Sequence, residues 1–404
     1  MKKKRKISLI KTNPIIKRIG KMKSIILVNT FLIISQLISP QLKKEDLTVI
    51  NFSKEYSQKE TRLQDIADIE YILLETTDDI LLSDKATLSC VSDKFILIHE
   101  FMRGDIFVFN RSGKVVSHFN HKGQSSREYS MIGEAGTIFD EKKEEIYVCS
   151  HSIQVYSLNG EYKRTLKKNT IQNVKVFNFD DESLLVYDDV NVDPVYKSTT
   201  NINPYYFISK VDGSTISVLD IQLPKRYSTR MVRMLDNKMF TIDQIYFPKS
   251  MYYGHDYVIA DMSSDTLYML TQNKELTPLL VRNPSVHSSE PRTIWTTLLT
   301  TDKFILIGKY TLNFNSKGGR IPVYMYEFET GEINGISIFD VEFNQRRWGP
   351  GSTPAMGKNL VAELIWPSSI SEAYKKKQLK GDIEKIVTSI DEDDNPIVRI
   401  IKFK

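Results

Sequence analysis

The sequence predicts an all-β fold, a six-bladed β-propeller, on three observations. A strand–strand–turn–strand unit recurs at blade-sized intervals, the same tight turn marks each copy, and the two chain ends supply the strands a closed ring would otherwise lack. The clearest copies of the unit are Lys94 to Phe119 and Glu145 to Leu166. Each reads as an apolar strand, a short polar loop, an alternating strand, an Asn-x-x-Gly or Asn-Gly turn and a last strand.

The elements follow in order along the chain. Residues Met1 to Lys23 carry ten Lys or Arg and no acid, and they run into an uncharged, mostly apolar segment, Ser24 to Leu42. A basic stretch followed by an apolar one is the layout of an export signal. Met22-Lys23-Ser24 offers a second start for it. The segment 24–42 also reaches the length of a membrane span, so a cleaved signal and a retained anchor both stand. No cysteine follows the apolar run, which excludes lipid attachment there. The expected location is the periplasm or the cell surface. Residues 43–65 read as a linker and 66–404 as one propeller domain. The formal charge of +5 hides this division. Without the first 23 residues, 45 basic residues face 50 acidic ones, which argues against a nucleic-acid partner.

Within the propeller, the turns between third and fourth strands fall at Gly113, Gly160, Gly213, the Asn273-Lys274 pair and Gly331, spaced by 47, 53, 61 and 57 residues. In the longest interval, Lys238–Tyr246 and Tyr257–Asp261 read as the two inner strands of blade four. The sixth blade takes Leu360–Trp366, the C-terminal Pro396–Phe403 and the upstream Ile69–Leu74, so the last blade is closed by both chain ends and no open edge remains there. Between Ser368 and Ile390 the strand pattern gives way to helix-forming residues, a small helical insertion in blade six. The only two cysteines, Cys90 and Cys149, sit beside or within apolar strands. A disulfide is open to them after export, and two buried thiols are the simpler reading.

Loops joining strands two and three share one face with the connections between blades. The long loops of this chain fall in those two classes, whereas the turns on the opposite face are tight. Loops on a rigid scaffold concentrate function, so the loop-rich face is the expected site. Its candidate ligand-binding residues are Arg103, Arg127, Glu128, Tyr129, Tyr205, Arg320, Arg347 and Trp348. His121, Tyr196, Arg346 and Trp366 lie on the same loops. Aromatic rings give rigid contact area and arginine gives forked hydrogen bonds, which suits peptide or sugar. Such residues also serve as packing between blades or as a solvated rim.

The connection His121-Lys122-Gly123-Gln124-Ser125-Ser126-Arg127-Glu128-Tyr129 resembles the G-x-G-P-x-E-Y signature of exported bacterial six-bladed propellers related to the NHL type. Ser264-Asp265-Thr266-Leu267-Tyr268 with Leu276-Thr277-Pro278 is similar to the S-D-T-I-Y and L-x-P segment of a later blade. The tail Asp391 to Val398 is similar to the family's E-x-D-N-P ending. The resemblance covers about Ile66 to Lys404. It departs from the family in the Gly-Pro core of the signature, where Ser126-Arg127 stands, and in lacking a lipoprotein cysteine. It implies an exported propeller and supplies no catalytic residues.

No G-x-S-x-G, H-E-x-x-H, P-loop or G-x-G-x-x-G motif occurs. His121, His151 and His255 lie near loops but lack metal-ligand spacing. The acidic run Asp391–Asp394 fails the calcium-loop pattern and reads as the turn before the closing strand. The expectation is an exported, monomeric, non-catalytic propeller without cofactor or metal, recognising a protein, peptide or glycan on its loop-rich face. The alternative is an enzyme, a lyase or hydrolase on sugars or lactones, working at the central channel.

Overall fold

Six sheets follow one another along the chain and form the six blades of a β-propeller. A computed structural model describes residues 47–404 except 134, 167–173, 189–202, 222, 224, 228–229, 235–239, 245–250, 254–255, 290, 312–320 and 351–354. The side chains of 174, 230–234, 240–244, 251–253 and 355–356 are also outside the description. The export segment, Tyr196, His255 and Arg320 therefore lie outside the described residues.

Blade 1 comprises Ala86–Val91, Phe95–Glu100, Asp105–Asn110 and Val115–Asn120. Blade 2 comprises Thr137–Asp140, Glu145–Cys149, Ile153–Ser157 and Tyr162–Leu166. Blade 3 runs from Val174–Asn178 through Ser183–Asp188 and Tyr205–Ser209 to Thr215–Val218. Blade 4 holds Met251–Tyr253, Asp256–Ile259, Thr266–Leu270 and Leu276–Asn283. Blade 5 holds Thr293–Thr300, Phe304–Thr311, Val323–Glu327 and Ile333–Asp340. Blade 6 combines Ala355–Gly357, Leu360–Ile365 and the C-terminal Ile397–Phe403 with the N-terminal Ala67–Leu73.

The turn used as a ruler is the same structure five times. Gly113, Gly160, Gly213, Lys274 and Gly331 all have φ between +66° and +83°. Glycine reaches that region without a Cβ clash. Lys274 stands there with a compensation: its ammonium lies 3.0 Å from Asp180 and 5.0 Å above the Phe207 ring of blade 3. The sixth blade has no such turn because its last two strands come from opposite chain ends.

Burial on both faces of each second strand follows from the blade-on-blade packing. Ile96 and Ile98 join Ala362, Val398 and Ile400 of blade 6, while Leu97 between them joins Ile146 and Val148 of blade 2. Leu184 and Val186 face blade 2, and Leu185 and Tyr187 face blade 4. Ile305 and Ile307 face blade 4, and Phe304 and Leu306 face blade 6. One apolar cluster therefore fills each of the six blade interfaces, which is why these strands read as continuous apolar runs. Neither Cys90 nor Cys149 is joined in a disulfide.

Three readings of the sequence are corrected. Residues 48–62, read as linker, contain two strands: Thr48–Asn51 adds parallel to the outer strand of blade 4, and Gln58–Arg62 does the same to blade 5. The Lys238–Tyr246 stretch is not an inner strand of blade four. Phe240–Gln244 pairs with Arg230–Met234 in a separate two-stranded sheet, and the three-residue Met251–Tyr253 takes the inner position. Arg346–Trp348, read as loop, pairs with Ile338–Asp340. The insertion in blade six forms helices at Pro367–Lys375 and Asp382–Ile386, whose Ile370 and Ile383 pack with Ile397.

Polar staples complement the apolar clusters. Asn395 is buried just before the closing strand; its amide donates to the carbonyls of Glu75 and Ile80, and its Oδ1 accepts from Leu82 N at 2.8 Å. Replacing it by Ala removes three hydrogen bonds, of whose backbone partners Ile80 O keeps a 3.4 Å bond from Thr77 N, and is expected to cost about 3 kcal/mol in denaturant unfolding. The exposed Asp393→Ala serves as control and is expected to stay within about 0.5 kcal/mol.

Between blades 1 and 2, Ser89 Oγ lies 2.6 Å from His99 Nδ1 and 2.7 Å from Thr137 Oγ1. Burial holds the His99 imidazole down at about 4, from its ordinary 6.5. As pH falls, the unfolded state takes up this proton first. The contribution of His99 is thus complete above pH 6.5 and is lost between 6.5 and about 4. Unfolding midpoints measured across that window are expected to fall more steeply for the wild type than for His99→Gln.

Candidate functional site

The connection from blade 1 to blade 2 is a rigid loop built by its own side chains. Tyr129 is fully buried, and its hydroxyl donates to Gly104 O at 2.7 Å while accepting from His121 N at 2.9 Å. Backbone bonds from Tyr129 N to His121 O and from Gly123 N to Tyr129 O pull the loop's ends together. Glu128 caps the interior, accepting from Ser125 N at 2.9 Å. That backbone donation holds its carboxyl below the usual range. A Cβ on residue 123 would lie 2.0 Å from Glu128 Oε2, so only glycine leaves room for the cap. His121 accounts for the outer end: its ring stacks on Tyr156 at 5.1 Å, and Nε2 lies 2.7 Å from Gly160 O.

Facing this loop is the three-residue link between strands two and three of blade 2, Ser150-His151-Ser152, closed by Ser150 N donating to Ser152 O. Between the two lies a cleft of about 440 Å³. Its lining offers hydroxyls from Ser125, Ser126, Ser130, Ser150, Ser152 and Thr165, carboxamides from Gln124 and Gln154, and the side chains of Glu128 and His151. Both walls come from the loop classes of the expected face. Ser130 Oγ sits 3.4 Å from Ser150 Oγ and 3.3 Å from His151 Nδ1. That contact is longer than a hydrogen bond between an activated nucleophile and its base.

The residues expected from sequence are only partly brought together. Glu128 lines the cleft, and Arg127 stands beside it with its guanidinium 5.6 Å over the Tyr162 ring and its carbonyl accepting from Tyr156. Tyr129 and Tyr205 are corrected from surface contacts to core residues. Each is buried with its hydroxyl on a backbone carbonyl, Tyr205 on Ala260 O across the blade 3–4 interface. Arg103 is half-exposed but held between Glu100 and Asp105 at 3.2 and 3.1 Å. Arg347 donates to Ile336 O, and Trp348 packs on Phe403 between blades 5 and 6, away from the cleft's lining. Sequence reasoning missed Ser130, Ser150, Ser152, Gln154 and Thr165. A signal for one was present: Gln154 is a polar residue inside an apolar strand run.

Comparison with known proteins agrees with this framework. A Bacteroides fragilis NCTC 9343 protein, inferred to be exported, superposes with a TM-score of 0.61 at 14% identity, covering 88% of this chain and all of that one. A Bacteroides vulgatus ATCC 8482 member of the DUF4221 family aligns at 0.47 and 9% identity, over 84% and 99% of the two chains. A virginiamycin B lyase from Staphylococcus aureus aligns at 0.35 and 10% identity, over 84% and 100%, a level that carries no argument about activity. No curated protein matches the sequence. Among the described residues no helix is long and apolar enough to cross a membrane. The profile of the domain of unknown function DUF4934 matches residues 47–402, the two added strands and the ring up to the penultimate residue of its closing strand, and the chain belongs to that family.

Proposed function

We propose that this chain is an exported, non-catalytic binding propeller that engages a protein, peptide or glycan outside the cytoplasm through its loop-rich face. The observation that carries the reading is the cleft between blades 1 and 2, with one wall fixed by Tyr129, Glu128 and Gly123 and the other closed by the Ser150 N to Ser152 O bond before any partner arrives. Fixed walls lower the ordering cost of association, so modest polar contacts suffice for useful affinity. The basic and apolar N-terminal segments support export, as does the inferred export of the B. fragilis relative. The protein acts as a monomer in this reading and uses no cofactor.

The enzyme alternative has one observation in its favour, the Ser130–His151 contact in the same cleft. It predicts turnover of the bound molecule that Ser130→Ala abolishes while binding persists.

Ser126 is exposed at the cleft's lining, and Ser112 is exposed on the opposite, tight-turn face. Ser126→Arg is expected to reduce capture of partners from cell-envelope extracts and from glycan and peptide arrays by about tenfold or more, the loss of a well-packed contact. Ser112→Arg is expected to leave capture unchanged. Equal capture by both variants would refute this choice of face.

A further inference from the structure

One residue of the cleft's lining carries a buried acceptor without a hydrogen-bond partner. Gln154 lies on the strand Ile153–Ser157, where Ile153 and Val155 face blade 3, so Gln154 faces the blade 1 connection with Tyr156. It is 5% exposed and forms part of the cleft wall. Its Nε2 donates to Ser152 Oγ at 2.7 Å, which orients the amide; its Oε1 is buried with no hydrogen-bond partner. A buried carboxamide oxygen without a donor destabilises its site, and a donor delivered into the cleft removes that cost.

The remaining lining says what kind of donor fits. Hydroxyls both give and accept, and six of them surround the space. Among the described residues the lining holds no Lys or Arg, so an anion finds no fixed countercharge in it, and its one ring is the imidazole of His151. Glu128, held ionised by its loop, repels anions further.

We infer that the cleft is a binding subsite for a neutral saccharide, with Gln154 Oε1 accepting from a sugar hydroxyl or an N-acetyl N–H. The inference deepens the binding reading above and rests on it.

Isothermal titration with neutral gluco-, manno- and N-acetylglucosamine oligosaccharides, set against uronic-acid oligosaccharides of equal length, tests it. The wild type is expected to bind a neutral member and to reject the acidic ones. Gln154→Met, which removes the acceptor, is expected to weaken binding about tenfold. Gln154→Glu keeps an acceptor in place, with the Ser152 hydroxyl turning to donate, and is expected to stay within about threefold. Melting temperatures of both variants confirm that they fold, and the exposed Ser126→Arg blocks the cleft without touching the buried amide. If no neutral saccharide binds while Ser126→Arg still abolishes capture of a peptide or protein, the saccharide inference falls and the binding face stands. If capture is indifferent to Ser126→Arg, both fall. Wild-type affinity in Gln154→Met overturns the role given to this residue.

Discussion

Everything in this molecule depends on the pairing of Ala67–Leu73 with Ile397–Phe403, the seven-residue register that joins the two ends of the domain. A propeller blade is buried on both faces, so an open ring would expose two apolar surfaces at once. Here they would be Ile72, Val398 and Ile400 against blade 1 on one side, and Val361, Ile401 and Phe403 against blade 5 on the other. The closing contacts span almost the whole domain in sequence, so their loop-closure entropy must be offset by many contacts formed together. The N-terminal segment adds to the closure. On its way to blade 6 it pairs with blade 4 and then blade 5, clasping three consecutive blades by backbone bonds.

Ring geometry also decides where charge can be buried. Lys210 of blade 3 is 1% exposed and donates to Asp140 of blade 2 at 2.6 Å, and Arg399 of blade 6 is paired with Asp340 of blade 5. Such pairs contribute little net stability over apolar isosteres, but each is strongly unfavourable if one partner is displaced. They therefore penalise a slipped or rotated blade interface. Glu145 of blade 2 extends the pattern: burial opposes its charge, yet Arg164, Lys163 and Tyr147 together hold its carboxyl at about 2. Arg164 in turn donates to Lys210 O of blade 3.

What the sequence made legible follows from which constraints act on side chains. The five tight turns could be found because a left-handed residue favours glycine, and Lys274 fits the spacing although its compensation lies in blade 3, where no local pattern records it. The second strands were visible because both faces are apolar. Gln58–Arg62 was invisible for the opposite reason: it is held by parallel backbone bonds and carries almost wholly exposed side chains, so nothing selects a pattern. Met251–Tyr253 is too short for a period to show. At the site, the aromatic and arginine residues that draw attention in a sequence are mostly the ones that packing uses. Tyr129 and Tyr205 carry cross-interface hydrogen bonds, whereas the cleft is made of serines, which resemble any other loop.

The three motifs that carry the resemblance read from the sequence land on three different blade interfaces. Glu128-Tyr129 fixes the connection from blade 1 to blade 2. Ser264-Asp265 sits between blades 4 and 5, where Trp295 Nε1 donates to Ser264 O and Asp265 accepts from Val286 N. Asn395 ties the segment before the closing strand to the approach to blade 1. Glu128, Tyr129, Ser264, Asp265 and Asn395 are thus used by the framework. On the binding reading proposed above, ligand choice resides between the staples. In this chain that means residues 124–127, which include the Ser126-Arg127 departure from the signature, the link 150–152, and the amide of Gln154. The staples hold that site in place: Gly123, Glu128 and Tyr129 keep one wall still, so on the same reading a change of a few small side chains would alter which molecule is accepted and leave the ring intact.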